Sequence, residues 1–191
     1  MRVLFSFVPL ILFPFVAGFY SVGLALWAAT GAACFVVAGD LLISHRSAKF
    51  LDVGQLLLFA TLALFGTLLH PAWNESLVRL VINTGLLTIV LLSIVAARPF
   101  TLQYAREQAP ERLWNSPGFI SINYRISWVW AGAFAVSVMA NLAKLFVPVI
   151  PHSADTTAGI AALVLAAKFT SWYPEHLRSS LRQNPSPDSE D

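Results

Sequence analysis

The chain has 191 residues, 57% of them hydrophobic and only 12% charged, with a mean hydropathy of +0.69. Soluble domains carry about 25% charged residues, so a water-soluble globule of this size is excluded and a bilayer must solvate the apolar surface. The formal net charge of +2 says less than its distribution, and a single cysteine, Cys34, excludes an internal disulfide framework and a cysteine-based zinc site.

An uncharged run over 3–19 follows Met1-Arg2 and holds Pro9 and Pro14. With Ala17 and Gly18 it imitates a secretory leader. A second apolar run begins at once, so a retained first span is preferred and cleavage is the alternative. The second run extends from 22 to about 43 and ends in Ser44-His45-Arg46-Ser47. The third, over 50–69, stops at His70-Pro71, and the fourth, over 77–97, stops at Arg98-Pro99. Proline disfavours helix at the residue before it, which sets both stops. A fifth run covers about 120–146 and ends near Pro148 and Pro151; a sixth covers 156–173 and ends at Pro174.

Each run is near the roughly 20 residues that cross a hydrocarbon core of about 30 Å. The expected fold is therefore all-α: a polytopic transmembrane helical bundle over residues 1–175 with about six spans. Five spans are the alternative, because the first run is short and the sixth carries Lys168, which must snorkel towards the headgroups. Residues 176–191, ending NPSPDSED, read as a disordered cytoplasmic tail.

Charge orients the bundle. With six spans, Arg2, Arg46, Lys49, Arg98, Arg106, Arg112, Arg125, Arg178 and Arg182 fall on one side, and Arg79 and Lys144 on the other. The positive-inside rule then puts both termini in the cytoplasm. The largest connection on that side, over 98–125, reads RPFTLQYAREQAPERLWNSPGFISINYR and is both basic and aromatic. Phe100 and Tyr104, four apart, suit an interfacial helix whose aromatic face meets lipid. Pro110 and the turn Asn115-Ser116-Pro117-Gly118 break any longer helix. Membrane-surface anchoring by this stretch is preferred over a substrate-binding loop. Glu107 and Glu111 among its arginines argue for lipid headgroups and against nucleic acid.

Several intramembrane polar residues are candidates for function. Asp40 near the end of the second span points to ion or proton handling, or, at shallow depth, to pairing with Arg46 or Lys49, which is preferred. Arg79 and Asn83 share a face of the fourth span, and Asn141 and Lys144 lie three apart on the fifth. They could line a small polar vestibule; interhelical hydrogen bonding is the preferred reading. His70 and His152, with Glu75 and Asp155, could face one another, yet they lack the spacing of a metal site, and no metal is expected. The sequence has no G-x-S-x-G elbow and no Gly-x4-Gly-Lys loop, so acyl transfer and nucleotide chemistry are not indicated. No repeat relates the first three spans to the last three, which leaves an inverted-repeat transporter without support.

On the fifth span, Trp130, Phe134, Ala140 and Asn141 give W-x3-F-x5-A-N, with Pro148 soon after. Arg98-Pro99 after the fourth span and the early Phe7-Val8-Pro9-Leu10 accompany it. Together these resemble the intracellular septation protein A family of small bacterial inner-membrane proteins, with the order of spans matching over most of 5–175. The 98–125 connection is longer than in that family, and the acidic tail is an addition. The resemblance implies a multi-pass inner-membrane protein, non-enzymatic and without cofactor, that serves envelope maintenance or septation through contacts with lipids and other envelope or division proteins. Interaction sites would include Arg98, Arg106 and Trp130. The alternative is a small-molecule or ion transporter or channel using Asp40, Arg79, Asn83, Asn141 and Lys144. An intramembrane enzyme is a third class, for which no residue constellation stands out. Oligomeric state is not legible.

Overall fold

The computed structural model describes residues 3–43, 49–69, 74–147 and 152–183, and every regular element among them is helical. The elements are α1 (Val3–Ser6), α2 (Val8–Phe19), α3 (Val22–Ala38), α4 (Phe50–Leu69), α5 (Glu75–Val95), α6 (Phe100–Arg106), α7 (Pro117–Phe146) and α8 (His152–Gln183). Arg46, His70, Pro148, Pro151 and the tail beyond Gln183 lie outside the described residues, as do the side chains of His152 and Asp155.

Helix starts follow local chemistry. Ser21, Asn74 and Ser116 each lend a side-chain oxygen to a free backbone N–H, at Leu24 (3.3 Å), Ser76 (3.0 Å) and Phe119 (3.4 Å). Pro9 and Pro117 sit in the first turns of α2 and α7, where no N–H is missed. The end of α3 widens into a π-helical turn, Gly39–Ile43, which carries Asp40.

Four helical segments have the length and apolarity to span a bilayer: Val22–Leu42, Phe50–Leu69, Glu75–Val95 and Pro117–Phe146. Val8–Phe19 is a shorter apolar helix, and α8 is long but polar in its C-terminal half. It runs through Pro174 to Gln183. The expected stop at Pro174 thus marks a change of composition rather than a helix end, and helix covers the first part of the expected tail.

Neighbours in sequence are neighbours in space. α2 packs on α3, α3 on α4 and α4 on α5, while α7 lies between α5 and α8. The α4–α5 approach is close: a Cβ on Gly54 would meet Ile89 at 2.9 Å, and one on Gly85 would meet Leu58 at 2.8 Å. Small residues at such crossings let membrane helices associate by direct packing. On α3 the fully covered positions are Ala25, Leu26, Ala29 and Ala33, a stripe at helical spacing. Large apolar side chains such as Phe35, Leu68, Val95 and Phe146 point outwards, as lipid-facing positions do.

Trp130 stands at the centre. It stacks on Phe7 at 4.4 Å with planes 7° apart, meets Phe100 edge-on at 6.4 Å and touches Phe134 at 6.2 Å. Its indole N–H donates to Thr170 Oγ1 of α8 at 3.0 Å. The separate motifs of the sequence therefore meet: Phe7 from the first run, Phe100 just after Arg98-Pro99, and Trp130 and Phe134 from the fifth.

Candidate functional site

The 98–125 connection is not a surface anchor in its first half. The chain leaves α5 through Ala97, whose φ of 55° is left-handed, and Ser93 Oγ accepts from the Phe100 N–H at 3.1 Å. This turn folds α6 back into the protein, where Phe100, Thr101, Leu102 and Tyr104 are buried. The aromatic face expected to meet lipid meets α4 and α7 instead. Helical spacing places Phe100 and Tyr104 on one face; it does not say what that face touches.

What it touches is a buried polar network. The Tyr104 hydroxyl donates to Asp52 Oδ1 at 3.0 Å. Lys49 Nζ bonds Asp40 Oδ2 at 2.5 Å, lies 3.3 Å from Glu107 Oε1 and sits 5.1 Å above the Tyr104 ring. Gln55 donates to the Ser6 carbonyl at 3.1 Å, and the Phe50 N–H donates to Gln103 Oε1 at 2.7 Å. Thr101 Oγ1 donates to the Asn123 carbonyl and meets Ser127 Oγ, each at 2.8 Å. Burial first, and then the nearby Asp52 charge, push the Tyr104 phenol far above its ordinary range. It therefore stays a neutral donor. Five segments (α1, the end of α3, α4, α6 and α7) are tied at this end of the bundle.

Asp40 therefore sits in an ion pair with Lys49, the preferred of its two expected settings. Arg98 is exposed at the α5–α6 turn. Arg106 lies 5.8 Å from the Trp114 ring. Sequence reading passed over Asp52, Gln55 and Tyr104 as network members. The available signal was a carboxylate and an amide three residues apart inside an otherwise apolar span.

Arg79, Asn83 and Asn141 converge at the opposite end. With Ser137 and Thr156 they form the polar part of a cavity of about 490 Å³ between α2, α5, α7 and α8, whose remaining walls are apolar. Arg79 bonds Glu75 Oε1 through Nη2 at 2.6 Å and Thr156 Oγ1 through Nη1, while its Nε is buried without a partner. Asn141 donates to the Ser137 carbonyl at 2.5 Å, and its Oδ1 is buried and unpartnered. Among the described residues, Asn83 has no side-chain hydrogen bond. Lys144 lies near the end of α7, outside the cavity lining. Asp40 lies at the other end of the bundle, so the expected polar candidates divide into two groups. No group of three or more metal-ligating His, Cys, Asp or Glu side chains occurs among the described residues.

No family model matches the sequence, and no solved structure matches it. Over 149 residues the chain is 26% identical to the inner membrane-spanning protein YciB of Shewanella frigidimarina (strain NCIMB 400), covering 74% of this chain and 73% of that protein. This is the distant resemblance expected from the fifth-span motif. Taken with four apolar helices of spanning length, it makes the chain a multi-pass protein of the bacterial inner membrane, distantly similar to the intracellular septation protein family.

Proposed function

We infer that the protein is a non-enzymatic component of cell-envelope maintenance or septation that works by contacting other inner-membrane proteins. The observation that carries this reading is the similarity to an inner membrane-spanning protein over three quarters of the chain. In this reading α1–α2 and α8 join the four long apolar helices as first and sixth spans, and both termini face the cytoplasm. The buried network supports such a role, because it holds the connection after α5 in one shape. Arg98, Glu111, Arg112 and Leu113 are left exposed on it, where a partner can reach them.

Threading is tested in a Cys34→Ser background by cysteines at exposed Arg112 and Asn74. A membrane-impermeant maleimide should label them from opposite sides of sealed vesicles; labelling from one side overturns the six-span arrangement. The interaction role is tested by replacing Arg98, Glu111, Arg112 and Leu113 with serine. An altered septum or envelope phenotype, with the protein still folded and inserted, is expected; a wild-type phenotype counts against it.

A second reading, a small transporter or channel with a polar site between the fourth and fifth spans, is favoured by the convergence of Arg79, Asn83 and Asn141 on one cavity. Solute flux in liposomes that disappears in a folded Asn83→Leu variant would select it over the first.

A further inference from the structure

The cavity between α2, α5, α7 and α8 combines two features that a simple packing defect lacks. Its polar end holds two buried atoms that the protein leaves unpartnered, the Arg79 Nε donor and the Asn141 Oδ1 acceptor, and the half-buried Asn83 amide lines the cavity beside them. Asn141 is 5% exposed. Buried polar groups left this way are costly, more so among helices that face lipid. Its apolar end opens sideways, because Ile11, Phe15 and Ile160 line it and are 65%, 64% and 54% exposed. A second groove of about 320 Å³, lined by Val8, Ile11, Leu12 and Phe15, shares Ile11 and Phe15 with the first.

Depth fits the same pattern. Arg79 is four residues into α5, and Asn141 is five residues from the end of α7. At 1.5 Å per residue both lie about 6–8 Å inside their helix ends, close to headgroup level for a helix that spans the bilayer. From there the cavity runs along α2 towards Leu10 and Leu163, deeper in the bundle. Its volume lies within the roughly 300–1,000 Å³ of small-molecule sites.

We propose that this cavity holds one phospholipid of the surrounding bilayer, whose head group carries its own hydrogen-bond donors. One acyl chain lies in the cavity and the other in the adjoining groove over Val8 and Leu12. Phosphate or ester oxygens accept from Arg79 Nε and the Asn83 amide. An ammonium or hydroxyl on the head group donates to Asn141 Oδ1. The Arg79 charge is already matched by Glu75, so donor capacity on the head group, rather than net negative charge, sets the preference.

The test is native mass spectrometry of the whole protein in detergent, offered phosphatidylethanolamine, phosphatidylglycerol or phosphatidylcholine of identical chains. The expected result is one retained lipid, with ethanolamine and glycerol heads held about tenfold more tightly than choline, which has no donor; that factor corresponds to one hydrogen bond. Asn83→Leu should weaken the first two about tenfold. Ile11→Trp, at an outward position that leaves the core untouched, should abolish retention by filling the mouth. Equal retention of all three lipids, or retention unchanged in both variants, overturns the proposal. So does saturation of the site by water-soluble glycerol phosphate, which would make the occupant a solute instead.

Discussion

The two ends of this bundle handle buried polarity differently. Each keeps unpartnered buried atoms, Asp52 Oδ2 and Gln55 Oε1 at one and Arg79 Nε and Asn141 Oδ1 at the other, and the second pair belongs to residues that line a cavity. At the basic end, Asp40, Lys49, Asp52, Tyr104 and Glu107 interlock across α3, α4 and α6, with Lys49 at the centre. At the other end, Arg79, Asn83 and Asn141 stand around a cavity, with Arg79 Nε and Asn141 Oδ1 left unpartnered. The aromatic cluster of Phe7, Phe100, Trp130 and Phe134 lies between them along α7. A polar residue inside a membrane bundle can thus serve as a clasp or as a vacancy, and the difference lies in its partners. Deletion should be costly in the first setting and nearly free in the second.

The largest expected effect comes from Lys49→Met. It leaves two carboxylates facing each other beside the Tyr104 ring, and removal of one partner from a buried ion pair costs about 3 kcal/mol or more. Unfolding by sodium dodecyl sulfate from mixed micelles should report this loss. Adding Asp40→Asn and Glu107→Gln to the same protein should restore much of it; no recovery would mean that Lys49 acts through packing alone. Tyr104→Phe comes next. It keeps the ring under Lys49 and removes the hydrogen bond to the buried Asp52 carboxyl, leaving Asp52 Oδ1 without that donor at a cost of about 1–3 kcal/mol. A change within error in the same titration would remove that hydrogen bond from the network.

The smallest expected effect is Asn141→Leu in lipid-free detergent. The Asn141 amide donates only within its own helix, to Ser137, and its oxygen bonds nothing. Replacing it with an apolar side chain of similar size should leave stability within about 0.5 kcal/mol, or raise it. A loss as large as that of Tyr104→Phe would erase the contrast between the two ends.

Much of this was legible in the sequence. Four apolar runs became Val22–Leu42, Phe50–Leu69, Glu75–Val95 and Pro117–Phe146 with small shifts of boundary, since hydropathy and caps act locally. The pairing of Asp40 with Lys49 was also legible, because only a short connection separates the two. The turn at Arg98-Pro99 was visible as a stop, although its consequence was not. Nothing in the spacing of Phe100 and Tyr104 distinguishes a face laid on lipid from a face laid on α4 and α7, for both surfaces are apolar with polar groups nearby.

By itself, the sequence determined the medium, the helical class and the ends of most helices. Desolvation of backbone groups in lipid leaves few alternatives, and proline and capping residues act within a turn or two. The tertiary structure alone decided which polar residues meet. Asp52 and Tyr104 are separated by 52 positions, and Arg79 and Thr156 by 77. Such contacts depend on how whole helices cross, where glycines such as Gly54 and Gly85 permit close approach. Polar residues of similar type were therefore sorted into a network and a cavity by packing, for which no local pattern codes.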